Sequence, residues 1–264
     1  MSLGNLAIAP LGMPSLFANI GHWVPGANYV ITGKPDTGAE DLALSLAEKF
    51  ESDGGHVVWI GVSDGLDRIC EQLMFKKAGI GRDPTGAPVQ LDAIGQIKLA
   101  YAREQVSNMS AAFCNVDECG DIELEQEFLA SVSPFKPTLI VVEESIFDET
   151  TLNAFEVLGR QTHARRMVDE LRRTNPMSSV LWRLPMSNTT DLGKTKQRPS
   201  LDDLPDAAST IRPEVVLFTH RDAGPASKHN SELIVSTNAY GSTGTVPMDF
   251  DIKHSTWHEF HARG

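Results

Sequence analysis

Cysteine is scarce in this chain of 264 residues: the three present, Cys70, Cys114 and Cys119, show no C-x-x-C spacing. That pattern argues against a disulfide framework and against a structural zinc site, and a reducing, cytoplasmic compartment is expected. Long apolar runs are missing too. None approaches the roughly 18 residues needed to cross a bilayer, and no basic-then-apolar leader opens the sequence, so no membrane association is expected. Positive charge is in deficit, with 23 Lys and Arg against 35 Asp and Glu and a formal net charge of −12. Phosphate contacts come from Lys and Arg, so this balance disfavours indiscriminate phosphate binding by the whole surface. Any such contact must be local.

What is present is an alternation of strand-like and helix-like apolar periods from residue 29 to the end, the pattern of a sheet covered by helices. Tyr29 to Thr32 reads as a buried strand. A glycine-bounded loop follows, and then a helix with Leu42, Leu46 and Phe50 on one face. His56 to Val62, Ala112 to Val116, Thr138 to Val142, Ser179 to Leu184 and Glu214 to His220 read as further strands. Helical patterns fill 66–73, 89–108, 122–132 and 152–173. Glu232 to Thr237 and Thr245 to Phe250, joined through the turn at 240–244, read as a closing antiparallel hairpin. Residues 1–22, broken by Pro10, Gly12, Pro14 and Gly21, are expected to be an N-terminal arm or linker, with Leu16, Phe17 and Ile20 docking on a neighbour or folding back on the core. Residues 23–264 are expected to form a single domain.

Between the first strand and its helix, Gly33-Lys34-Pro35-Asp36-Thr37-Gly38 satisfies the G-x-x-x-x-G half of a phosphate-binding loop. A working loop continues with Lys, which reaches the β- and γ-phosphates, and Ser or Thr, which holds magnesium. Here those positions are Ala39 and Glu40. A carboxylate about 4 Å from a phosphate charge, at an effective dielectric near 20, costs on the order of 4 kcal/mol. Glu40 and Asp41 also occupy the helix's positive dipole end, which would otherwise attract phosphate.

From Pro25 to Phe260 the order of segments resembles the C-terminal ATPase domain of DnaB-type replicative helicases. The resemblance rests on Pro25-Gly26 and the glycine loop, on Leu139-Ile140-Val141-Val142-Glu143, and on Arg198-Pro199-Ser200-Leu201-Asp202-Asp203-Leu204. It continues through Val216 to Asp222 and through Gly241-Ser242-Thr243-Gly244-Thr245-Val246 to Phe250. It implies a RecA-like P-loop NTPase fold: a twisted, mostly parallel central sheet flanked by helices, with a C-terminal antiparallel hairpin. It also implies a relic nucleotide site made of Gly33, Lys34, Pro35, Gly38, Ala39, Glu40 and Glu143, with Glu143 where the family has its magnesium-coordinating Asp. The departures fall on catalytic positions. Ser63, beside Asp64, stands where the family has the Glu that activates water, and Arg183 where it has the Gln that senses the γ-phosphate. Thr237 and Ala239 stand where it has the Lys and Arg that serve a neighbouring subunit. An arginine finger contributes about 10³-fold or more to phosphoryl transfer, so service to neighbours is expected to be lost as well.

Arg183, Lys194, Lys196 and Arg198 form a local basic cluster where this family contacts single-stranded DNA, and they are the nucleic-acid candidates. Arg160, His163, Arg165 and Arg166 read as a solvated helical stripe. His220, His229, His254, His258 and His261 lack metal-binding spacing, so no metal site is expected. Only one of Glu143 and Glu144 is expected to face a site, because adjacent strand residues point to opposite faces. The expectation is a pseudo-ATPase with no cofactor, acting by binding a protein partner, with weak binding of single-stranded DNA at most. A monomer or dimer is favoured over a hexamer. The alternative is an ATP- and magnesium-dependent replicative helicase subunit with an atypical loop.

Overall fold

A computed structural model of the chain describes residues 13–81, 89–117, 122–132, 134–147, 154–186, 198–221 and 231–260. Nine strands form one sheet: β1 (Asn28–Gly33), β2 (His56–Gly61), β3 (Ala111–Asn115), β4 (Thr138–Val142), β5 (Ser178–Arg183), β6 (Val215–Arg221), β7 (Ser231–Asn238), β8 (Gly244–Asp251) and β9 (Thr256–Glu259). Their spatial order is β3-β2-β4-β5-β1-β6-β7-β8-β9. The first six in that order pair in parallel and the last three antiparallel. The parallel strands are apolar on both faces because helices cover both. Tyr29 and Ile31, Val57 and Trp59, and Leu139 and Val141 pack on one side. Val30, Val58, Ile60, Ile140 and Val142 pack on the other.

Helices α1 (Pro14–Ile20), α2 (Ala39–Ser52) and α3 (Ser63–Ala78) precede α4 (Ala93–Ser107) and α5 (Ile122–Ser131), with α6 (Ala154–Thr174) and the short α7 (Ala207–Ile211) beyond them. On the first face, α2 buries Leu42, Leu46 and Phe50, the three residues whose spacing defined it. On the opposite face α6 buries Ala164, Met167, Val168 and Leu171.

Two elements add to the sequence reading. Leu16 and Ile20, with Met13, fold back on the chain's own core, one of the two placements the sequence left open: all three are buried around α2. They are held there because Glu259 accepts hydrogen bonds from the Ser15 and Leu16 amides at 2.5 and 3.2 Å. The hairpin is also followed by a further strand, β9, too short to carry a period of its own. Its Trp257 enters the core.

Candidate functional site

Strands β1, β4 and β5 are neighbours in the sheet, so the glycine loop, Glu143 and Arg183 meet at its C-terminal edge, where open α/β sheets place their ligand crevices. The loop is shaped by its two glycines. A Cβ on Gly33 would lie 2.0 Å from the Thr219 hydroxyl of β6, so glycine is what lets the chains approach. Gly38 has φ +81° and its Cα faces the Phe250 ring, 2.8 Å from where a Cβ would stand. Thr37 closes the loop on itself. Its hydroxyl donates to the Lys34 carbonyl at 2.7 Å and meets Thr219 Oγ1 at 2.7 Å, while its amide also donates to Lys34, at 3.2 Å.

Helix α2 starts directly from Gly38, with no side-chain cap and with Glu40 and Asp41 in its first turn. The Glu40 carboxylate turns to two guanidinium groups, Arg183 and Arg68, each at 3.3 Å. Arg183 is the hub. Its Nη1 donates to Glu143 Oε2 at 2.5 Å, and its Nη2 donates to Glu144 at 3.0 Å as well as to Glu40. Arg183 is 3% exposed and Glu143 fully buried, whereas Glu144 and Arg68 lie at the rim.

Burial and pairing compete here. Burial pushes the Glu143 carboxyl above its ordinary range; Arg183 pulls it back, and the net direction is upward. Burial acts to lower the Arg183 pKa, but Glu143, Glu40 and Glu144 outweigh it and hold the guanidinium firmly protonated.

The geometry bears on two sequence expectations. Arg183, one of the nucleic-acid candidates, is enclosed, and both of its terminal nitrogens are engaged by carboxylates. Glu143 and Glu144 do not diverge. The strand ends at Val142, and Glu144 opens a 3₁₀ turn through Phe147 that swings it back to the same guanidinium. Arg68 was not anticipated; no motif marks it, since its role arises only from α3 lying beside α2.

The remaining candidates are dispersed. Lys194 and Lys196 lie outside the described residues, as do Cys119, His229 and His261. Arg198 forms a two-pronged pair with Glu232, both contacts at 2.5 Å, and reaches Thr245. On α6, Arg160 is paired with Asp117, and both His163 and Arg166 with Glu125, so much of that basic stripe is neutralised locally. Ser63 is exposed and accepts from Asn115, and Asp64 beside it is exposed. Ala39 packs partly against the core, and Lys34 is half-buried. Among the described residues no group of three or more His, Cys, Asp or Glu could hold a metal ion, and no helix is long and apolar enough to cross a membrane.

No protein-family model matches the chain, and no curated protein matches it in sequence. Solved structures do. An ATPase domain superposes with a TM-score of 0.72 at 15% identity, covering 97% of this chain and 93% of its own. A DnaB-like replicative helicase, determined with its interactions with primase in view, gives 0.70 at 16% identity over 96% of this chain and 62% of its own length. The chain has the RecA-like fold of a DnaB-like helicase ATPase domain.

Proposed function

We propose that this chain is a non-catalytic relative of the DnaB-type motor, acting by binding within DNA replication or recombination. The observation that carries the reading is Glu40: its carboxylate stands in the first turn of α2, bonded to Arg183 and Arg68, where nucleotide binding calls for a hydroxyl and open helix amides. Magnesium-ATP fits these residues poorly. One oxygen of the Glu143 carboxylate that would face the metal is bonded to Arg183, Ala39 provides no ammonium, and a loop amide is turned to the Lys34 carbonyl.

A net charge of −12, with Arg160, Arg166 and Arg198 each held by a carboxylate, supports a protein partner over DNA. The rival reading, an ATP-driven helicase subunit, requires nucleotide. Calorimetric titration with magnesium-ATP, together with a hydrolysis assay, separates the two. The expected result is no micromolar binding and no turnover above a blank; either one would overturn the proposal. Sedimentation with and without ATP is expected to give a monomer or dimer in both.

A further inference from the structure

Glu40 explains why phosphate is opposed, but it does not explain Arg183. A guanidinium at this edge would attract phosphate. Its effect must fall on a different ligand, the divalent cation. Arg183 Nη1 lies 2.5 Å from Glu143 Oε2, and both side chains are closed off from solvent. Glu143 Oε1 has no hydrogen-bond partner, but a metal ion there would sit beside the guanidinium on Oε2, and two like charges at such range repel strongly in a poorly solvated pocket. Removing Glu40 releases one Nη2 donor of Arg183 but leaves the guanidinium anchored, because Glu143 and Glu144 still hold it at 2.5 and 3.0 Å.

We propose, building on the reading above, that Arg183 is the built-in cation of this site and replaces a divalent metal ion on Glu143. The wild-type pocket is thus liganded from within, with Glu40 in the role of the anion and Arg183 in that of the metal. It follows that the pocket, once Glu40 is removed, takes polyphosphate through guanidinium groups and without metal. Arg68, half-exposed and bonded to the same Glu40 oxygen at 3.3 Å, is the second cation released toward the ligand. Two guanidiniums suit phosphate oxygens, to which they donate directionally.

The test is calorimetry of ATP with the Glu40→Thr variant, whose Ala39 still provides no ammonium, once in magnesium and once in EDTA. The expected result is measurable binding in EDTA that magnesium improves by less than about threefold, a difference too small to reflect a coordinated metal. Adding Arg183→Gln frees Glu143, and binding then becomes magnesium-dependent by about tenfold or more. Binding by the first variant that needs magnesium, or no binding in EDTA, overturns the proposal. Should the double variant fail to fold, the metal dependence of the first variant decides alone. A second check uses manganese with the wild-type protein: no rise in melting temperature is expected, and a rise would show that Glu143 is free for metal. Tight ATP binding by the wild type would instead refute the non-catalytic reading, so the two failures are distinguishable.

Discussion

Trp257 donates its indole N–H to the carbonyl of Gly38 at 2.9 Å, joining the last strand to the phosphate-loop glycine across 219 residues of chain. The indole also stacks on Phe250, whose ring lies under the same glycine, with centroids 4.8 Å apart. The loop is therefore held from the core side by two aromatic residues of the C-terminal hairpin and β9.

Gly38→Ala forces a left-handed backbone on an L-residue and drives a methyl group into Phe250. The two effects together are expected to lower stability by about 2–3 kcal/mol. Trp257→Phe keeps most of the packing and loses the hydrogen bond, at about 1 kcal/mol. Urea unfolding of both variants checks the ranking, and equal losses would mean that the glycine is not constrained.

Arg183→Met leaves the Glu143 carboxylate buried without its partner and is expected to cost about 3–5 kcal/mol. Arg183→Met combined with Glu143→Leu removes both charges and should recover most of that loss, because Glu40 keeps Arg68 and Glu144 reaches solvent. The double-mutant cycle is read from denaturant midpoints. Additive losses would show that the pair is not coupled.

The pH dependence follows from the upward shift of Glu143. A carboxyl whose folded pKa lies above its unfolded value gives stability that is complete below the unfolded value and is lost as pH rises through the folded one. The wild type is therefore expected to lose stability relative to Glu143→Gln as pH climbs out of the ordinary carboxylate range toward neutrality. Denaturation series at several pH values test this, and a wild-type advantage that grows with pH would mean that Arg183, not burial, dominates.

Glu259 accepts both the Ser15 and Leu16 amides and is itself almost buried. Glu259→Ala is expected to cost about 1–2 kcal/mol and to speed hydrogen exchange at those two amides. Unchanged exchange there would show that Leu16 and Ile20 alone hold α1.

Single-stranded DNA binding, if measurable, is expected to be weak and to fall steeply with salt, and Lys194→Ala with Lys196→Ala should reduce it. Fluorescence anisotropy at two salt concentrations is the measurement. An affinity unaffected by the double substitution removes that loop from consideration.

The sequence by itself determined the layering. Period-two and period-four apolar spacing placed most of the strands and the helices that cover them, because burial on one or both faces is written directly into residue order. The glycine loop was legible for a related reason: Gly33 and Gly38 are the residues a strand-to-helix turn of that shape requires, and Ala39 and Glu40 follow without ambiguity. What only the tertiary structure decided was where charge ended up. Arg183 read as one of four basic residues beside a loop and, by resemblance, as standing in place of a γ-phosphate-sensing Gln, but nothing in its neighbourhood along the chain announces an ion pair with Glu40, 143 residues earlier, or Glu143, 40 earlier. Parallel strands bring distant segments side by side, so an ion cluster at their ends belongs to no local pattern. The same holds for Glu259 and the first helix. A short apolar trio cannot specify its docking partner, and the carboxylate that fixes it arrives only when the last strand closes the sheet.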